Sequence, residues 1–493
     1  METVIKNKNP KCGDCVSCGK CNTPQAKESL EKKAKMSALP DGFVVKNEFQ
    51  KKGESGKYFG VSFDVGTTTV VGMLWDLAAG VQIAVNAEAN PQAAYGADVI
   101  SRIMFAGESE DNLLLLQREI IGCLNRIINV LANDGKISKD NIFEITIAGN
   151  TTMSHLIVGV DPSSLARSPF TPVFCDEINK KAKEFGLEIN PDANITVLPN
   201  IAGHVGSDIT TGLIASEIIK KPGVHLMIDV GTNGEIVLSK DGQALTCSTA
   251  AGPAFEGAAI YQGMRAKDGA IERVDINEDD VMVKTIGDET AVGICGSGII
   301  DAVAEMVRVS LIEKTGRMTT VEKALEKGTS NRIAARLTEG ETGREFVLSY
   351  GGAHGLPDCN GCDGKVENDG VKDVVITQKD IREVQLAKGA ISAGIKLMLT
   401  DLNLNESRID YIYIAGAFGN HVRPESAVQI GLIPNIEKEK IIYIGNAAGI
   451  GASMALLSED AREEARQVAK SIRHLELSDD PLFQEVYMYA MGF

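Results

Sequence analysis

The chain has 493 residues, 44% of them hydrophobic and 24% charged, enough for two or three domains with a well-buried core. With 67 acidic against 50 basic residues the net charge is −17, so no nucleic-acid partner is expected. Met1 to Lys11 hold no apolar signal core, and no stretch nears the roughly 18 apolar residues of a membrane span. A cytoplasmic protein without membrane contact is the expectation.

In a reducing compartment ten cysteines read as metal ligands, redox groups or small core residues, not as disulfides. Cys12, Cys15, Cys18 and Cys21 recur at a constant x2 spacing, separated by glycine and small polar residues that let backbone amides reach sulfur. Ferredoxin motifs run C-x2-C-x2-C and close with x3 and Cys-Pro. Structural zinc sites set two C-x2-C pairs well apart. The run is nearer the first pattern, so an iron–sulfur cluster, 4Fe-4S, is expected, with zinc as the alternative. Residues 1–24 form this cysteine-rich segment. Residues 25–57, Lys/Glu-rich around KESLEKKAKM, read as a linker with one short exposed helix, either a mobile arm or a plain solvated spacer.

From Tyr58 onward β-branched runs alternate with helical patterns, which predicts an α/β fold. The chain also repeats itself. FGVSFDVGTTTVVGMLW (59–75) and HLMIDVGTNGEIVLS (225–239) are each a strand, an Asp-Val-Gly-Thr turn and a second strand, with Asp64 and Asp229 165 positions apart. ITIAGN (145–150) is matched by IYIAG (412–416). Asn200-Ile-Ala-Gly203, leading into SDITTGLIAS, is matched by Asn446-Ala-Ala-Gly449, leading into GASMALLS. Three landmarks in one order predict two lobes of one duplicated fold, 58–220 and 221–493. The second lobe carries an irregular insert at 308–373. Beyond it Thr377-Gln-Lys-Asp380 is a capping box, followed by Ile381, Val384, Ile391 and Ile395 near helical spacing.

A Gly-Thr turn between strands exposes backbone N–H groups and hydroxyls that can surround phosphate oxygens. Gly66 and Gly231 remove the Cβ that would block the approach. Asp64 and Asp229, at strand ends, are placed to orient Mg2+ or its waters. Two facing hairpins would clamp one triphosphate.

FDVGTTTV resembles the first phosphate motif of the acetate and sugar kinase, chaperone and actin superfamily (ASKHA), and IDVGTNGEIVL its second. YIAGAFGNH resembles its adenosine motif. Gly293-Ile-Cys-Gly-Ser-Gly298 before IIDAVAEMV, and Asn446 to Leu457, resemble its connecting helices. The resemblance implies a duplicated, actin-like (ribonuclease H-like) two-lobed core that binds ATP and Mg2+. It implies contacts from Gly66, Thr67, Thr68 and Thr69, from Gly231, Thr232, Asn233 and Gly234, from Gly296 and Ser297, and from Gly416, Ala417, Phe418 and Gly419. AAYGADVISRI (93–103), STAAGPAFEG (248–257) and ITQKDIREVQLAKGAISAGI (376–395) are similar to the reductive activators of corrinoid-dependent enzymes. That likeness implies an ATPase joined to an iron–sulfur module, which returns a cobalt(II) corrinoid protein to cobalt(I) with electrons from a low-potential donor. Members of that family carry a full ferredoxin-like domain. Here about twenty residues with four cysteines stand in its place.

Glu256 follows a Gly-Pro turn and reads either as positioning an attacking water or as a surface carboxylate. Cys359 and Cys362 are a second C-x2-C pair, which could bind metal across a homodimer, join the N-terminal group or be incidental. Cys123, Cys175, Cys247 and Cys295 read as core, and His421 adjoins the adenosine motif. The leading expectation is a reductive activator for the methyl carrier of a methyltransferase system. Alternatives are an activator of radical dehydratases, a small-molecule kinase with a zinc module, and a chaperone-like ATP-dependent interaction protein.

Overall fold

Strand-forming runs punctuated by glycine turns build two six-stranded and two three-stranded sheets, with helices between and after their strands. The structure, a computed structural model, describes residues 39–52, 54–231, 233–341, 343–351, 372–416 and 422–493. Cys12, Cys15, Cys18, Cys21, Cys359, Cys362, Thr232, Ala417, Phe418, Gly419 and His421 lie outside the described residues. The chain divides into two compact units, Met1–Phe43 and Val44–Phe493. In the described part of the first, Phe43 N–H donates to Pro40 O at 3.0 Å.

The second unit opens on strands β1 (Phe59–Val65), β2 (Thr69–Asp76), β3 (Val81–Ala89), β4 (Ile142–Gly149), β5 (Ile178–Lys181) and β6 (Asn194–Val197), in the order β3-β2-β1-β4-β6-β5. The first three form an antiparallel meander, while β4 pairs parallel to β1 and β6 parallel to β4. Helices α1 (Val99–Glu108) and α2 (Glu110–Gly135) connect β3 to β4; α3 (Thr151–Val158) follows β4, and α4 (Ser207–Ser216) follows β6. On one face of β1 Phe59, Val61, Phe63 and Val65 are buried, and on the other Gly60 and Ser62 are buried as well, as befits a strand covered on both faces.

The plan then repeats. A second antiparallel meander, β7 (Val224–Val230), β8 (Gly234–Lys240) and β9 (Gln243–Thr249), precedes two small three-stranded sheets. These are β10 (Ala270–Ile276), β11 (Val281–Thr285) and β12 (Gly293–Ile294), then β13 (Leu337–Gly340), β14 (Gly343–Ser349) and β15 (Val374–Thr377), with α5 (Gly296–Arg308) between them. Helix α6 (Gln378–Asp401) leads to β16 (Tyr411–Ala415) and β17 (Ile441–Gly445). Helices α7 (Ala447–Leu457) and α8 (Glu459–Ser471) and strand β18 (Arg473–His474) follow. The large sheet has the order β17-β16-β7-β8-β9-β18, with β16 parallel to β7 and β17 parallel to β16. Five strands of each large sheet therefore share one topology, and every repeated landmark falls at the same place in it. Each large sheet has its own apolar core, and that of the second also takes in the small sheets.

Helix α6 begins with the expected capping box: Thr377 N donates to Asp380 Oδ2 at 2.9 Å and Asp380 N to Thr377 Oγ1 at 3.1 Å. Two readings need correction. The stretch after Arg308 is not irregular where described, because it holds short helices at Val321–Glu326 and Asn331–Ala334 and the β13–β14 hairpin. The segment before Tyr58 is not free tether throughout. Asn47 Nδ2 donates to Leu77 O and Leu457 O, and Phe49 packs its buried ring on Tyr58 and Phe143.

The last helices of the two repeats cross. A Cβ added at Gly451 of α7 would lie 2.0 Å from Thr211 O of α4, so only glycine lets the backbones approach this closely. Although it follows β17, α7 lies on the first sheet: Ser453 Oγ meets Ser62 Oγ at 2.7 Å, and Thr146 Oγ1 donates to Ala452 O at 2.8 Å. Helix α8 continues over that lobe through Arg462–Glu144 and Arg466–Glu177 at 3.6 and 3.0 Å. The chain then returns to β9 through β18. Among the described residues no helix is long and apolar enough to cross a membrane.

Candidate functional site

The β1–β2 turn is anchored from behind by three side chains. Asn90 Nδ2 donates to Gly66 O at 2.9 Å, Arg102 Nη2 to Thr67 O at 2.6 Å, and Asn150 Nδ2 to Thr67 Oγ1 at 3.0 Å. Gly66 N closes the turn on Thr69 O at 2.9 Å. Among the described residues the N–H groups of Thr67 and Thr68 have no acceptor, so the turn presents consecutive donors to the cleft, the arrangement that receives an anion. The β7–β8 turn repeats the closure, with Gly231 N on Asn233 O at 2.9 Å. Gly416, with φ +87°, abuts this turn: a Cβ there would lie 2.7 Å from Asp229 Oδ1. The start of the adenosine-like motif is thereby held against the second hairpin.

Four carboxylates face one another between the turns. Asp64 and Asp229 are each pushed up to about 7; burial is the main cause, followed by the charge of Asp208. A hydrogen bond from Asn446, at the start of α7, partly offsets the rise at Asp64. Asp208, in the first turn of α4, is raised to about 6 by burial, and Glu235 of β8 is raised by burial and then by Asp208 and Asp229. All four side chains keep part of their surface open to the cleft. Like charges face all four, and no ion pair to any of them occurs among the described residues, so each holds its proton more tightly than a free carboxyl. Across the cleft, Thr68 Oγ1 of the first lobe donates to Glu256 Oε2 of the second at 3.3 Å.

Among the described residues no three His, Cys, Asp or Glu side chains close around one point as a metal cage. The donor set still suits Mg2+, which keeps most of its waters and takes one or two carboxylates together with ligand phosphates. An acidic cleft whose described carboxylates have oxygen neighbours, no ion-paired cation among the described residues and raised proton affinities fits that ion.

The structure thus brings Asp64, Gly66, Thr67, Thr68, Asp229, Gly231, Gly416 and Glu256 to one cleft. Ser297 is placed differently: its hydroxyl donates to Glu272 O at 3.0 Å and is buried against β10. Helix α5, which Gly296 and Ser297 open, instead anchors the exit of the adenosine-like motif. Arg423 pairs with Asp301 of α5 at 2.8 Å and with Asp275 at 2.5 Å, and Tyr443 Oη donates to Val422 O at 2.5 Å. Asp208, Glu235, Asn90, Arg102 and Asn150 carry no sequence reading of their own, although Asn150 ends one repeated landmark and Asn446 opens another.

A family model described as the RACo middle region matches residues 59–221. A second, described as the C-terminal domain of RACo, the ASKHA domain, matches 223–352 and 362–493. The corrinoid activation enzyme RamQ of Eubacterium limosum is 37% identical over 451 residues, 92% of this chain and 72% of that protein. A [Co(II) methylated amine-specific corrinoid protein] reductase of Methanosarcina barkeri is 25% identical over 333 residues, 63% of this chain and 53% of the relative. Among solved structures, a reductive activator for corrinoid, iron-sulfur protein superposes with a TM-score of 0.76 at 37% identity. It covers 89% of this chain, which spans 67% of that one. The chain belongs to the RACo family of reductive activators and carries that family's middle region and C-terminal ASKHA domain.

Proposed function

We propose that this chain is an ATP-dependent reductive activator that returns the cobalt(II) form of a corrinoid protein to cobalt(I). The observation that carries this reading is the kinship to corrinoid-activating proteins over most of the chain, joined to a duplicated, anion-ready cleft. The ASKHA core implies ATP with Mg2+. Residues 58–220 and 221–493 are read as the two ATPase lobes, residues 1–24 as the redox segment and 25–57 as its tether. The partner is the corrinoid methyl carrier of a methyltransferase system, a low-potential donor supplies the electron, and the setting is cytoplasmic. A homodimer belongs to this reading, with Cys359 and Cys362 either binding metal across the two chains or joining the N-terminal cysteine group.

In this reading the N–H groups of Thr67 and Thr68, the hydroxyl of Thr69 and the second turn from Gly231 through Thr232 and Asn233 to Gly234 hold phosphates. Asp64, Asp229 and Asp208 orient the waters of Mg2+, and Gly416 to Gly419 bound the adenosine pocket. Bound MgATP supplies a ligand that both lobes share. Glu256 meets Thr68 from the opposite wall, so the cleft is complete only when the lobes are together. An uphill one-electron step of about 150 mV amounts to roughly 3.5 kcal/mol at 59 mV per tenfold. Differential affinity of the open and closed lobes for the nucleotide supplies energy of that size. Cys12, Cys15, Cys18 and Cys21 are proposed to hold an iron–sulfur cluster, which supplies a one-electron carrier.

Anaerobic purification with iron, sulfide and zinc measured together tests the redox assignment. Stoichiometric iron and sulfide, lost when the four cysteines become serine, are expected. Stoichiometric zinc without iron would sink the electron-transfer mechanism.

A further inference from the structure

Arg102, on α1, is the largest fully buried side chain of the described residues and is 0% exposed. Its guanidinium bonds only to neutral groups: Nε donates to Gly96 O at 2.9 Å, Nη1 to Gln92 Oε1 at 3.5 Å and Met153 Sδ at 3.6 Å, and Nη2 to Thr67 O at 2.6 Å. Among the described residues no carboxylate forms an ion pair with it. The nearest acid in sequence, Asp98, caps α1 by accepting from Ser101 N at 2.7 Å on the exposed side. Burial lowers the pKa of Arg102 to about 10, partly offset by the charge of Asp98, which leaves it protonated at neutral pH. A buried charge without an ion-pair partner is costly, and an anion arriving at the turn would offset that cost.

The place where that charge arrives follows from the peptide geometry. Thr67 O and Thr68 N–H belong to one peptide plane and point opposite ways. A cation on the carbonyl oxygen polarises the peptide and strengthens the N–H as a donor. Asn90, with its amide on Gly66 O, does the same for Thr67 N–H without a charge. Both N–H groups lack an acceptor among the described residues, and both face away from the side chains that hold the turn.

We propose that Arg102 is a positioning cation for the phosphate site, acting through the Thr67–Thr68 peptide to make the first hairpin selective for the multiply charged end of a nucleoside triphosphate. The inference rests on the reading of this hairpin as a phosphate grip. Arg102 touches no ligand itself; it sets how strongly the loop discriminates by ligand charge.

Calorimetric titration of the full chain with MgATP and with adenosine tests this, using Arg102→Gln, which keeps a hydrogen bond to Thr67 O but drops the charge, and Arg102→Lys, which keeps the charge. Melting of each nucleotide-free variant is the fold control, and Arg102→Met replaces the Gln variant should that not fold. Arg102→Gln is expected to weaken MgATP roughly ten- to hundredfold and leave adenosine within about twofold, while Arg102→Lys recovers most of the loss. Equal losses for MgATP and adenosine, or Gln and Lys variants that behave alike, overturn the proposal. A wild-type chain that binds no MgATP overturns the phosphate reading itself. A wild-type chain that binds it no better than Arg102→Gln overturns only the role of Arg102.

Discussion

Asp208→Asn removes one of four mutually repelling carboxylates, and the account expects opposite effects with and without nucleotide. The nucleotide-free protein should melt at a higher temperature, because Asp64, Asp229 and Glu235 each lose a like-charged neighbour. MgATP affinity should fall about tenfold or more, since a carboxylate that orients the ion is gone. Calorimetry and thermal melts check both signs. The pH dependence follows from the same groups. Asp64 and Asp229 have folded values near 7, raised from 3.8, so between those limits the folded chain binds more protons than the unfolded one. Stability from these groups is therefore fully present below about pH 4 and lost as pH rises through about 7. Saturating Mg2+ should flatten that fall in a melt series from pH 5 to 8, and Asp208→Asn should reduce it. The hairpin aspartates were legible in the sequence because each sits in a repeated Asp-Val-Gly-Thr. Asp208 and Glu235 were not, because a lone acid at a helix start or in a strand becomes a site residue only when tertiary packing brings like charges against it. Arg102 was hidden for a related reason: its burial without an ion pair among the described residues is a property of the packed lobe.

Among the elements, α7 and α5 carry the most specific expectations. Gly451→Ala places a methyl group against Thr211 O and forces α7 and α4 apart, a clash worth about 1–3 kcal/mol. Its melting temperature should drop, and MgATP should restore less of it than in the wild type, because the crossing joins the two lobes. Arg423→Met strands Asp301, which is 2% exposed, inside α5. Breaking such a buried pair costs about 3–5 kcal/mol. Adenosine affinity should fall along with stability, since Arg423 fixes the exit of the adenosine-like motif; equilibrium unfolding and adenosine titration measure the two losses. The meanders, the crossover strands and the capped start of α6 could be read from strand patterns, matched landmarks and Thr377-x-x-Asp380. The two small sheets inside the second lobe could not: β12 and β13 are two and four residues long, too short for a periodic signal. Nor could α7 be assigned to the first sheet. Its apolar residues are buried all round, so nothing in its own pattern says which lobe it covers.

For the whole molecule, the two lobes share a cleft, a pair of crossing helices and the α8 strap, so a ligand held by both hairpins must bias their relative position. A nucleotide that binds without moving that equilibrium would do no work on a partner. The central claim is that this bias drives an electron uphill to a corrinoid. The direct measurement is the cobalt(II) electron paramagnetic resonance signal of a corrinoid protein, followed anaerobically with this chain and a low-potential reductant, with and without MgATP. The account predicts that the signal disappears only when chain and MgATP are both present, and that Asp64→Asn or serine at Cys12, Cys15, Cys18 and Cys21 abolishes the loss. A signal that persists with every component present, or that decays equally without MgATP, would contradict it.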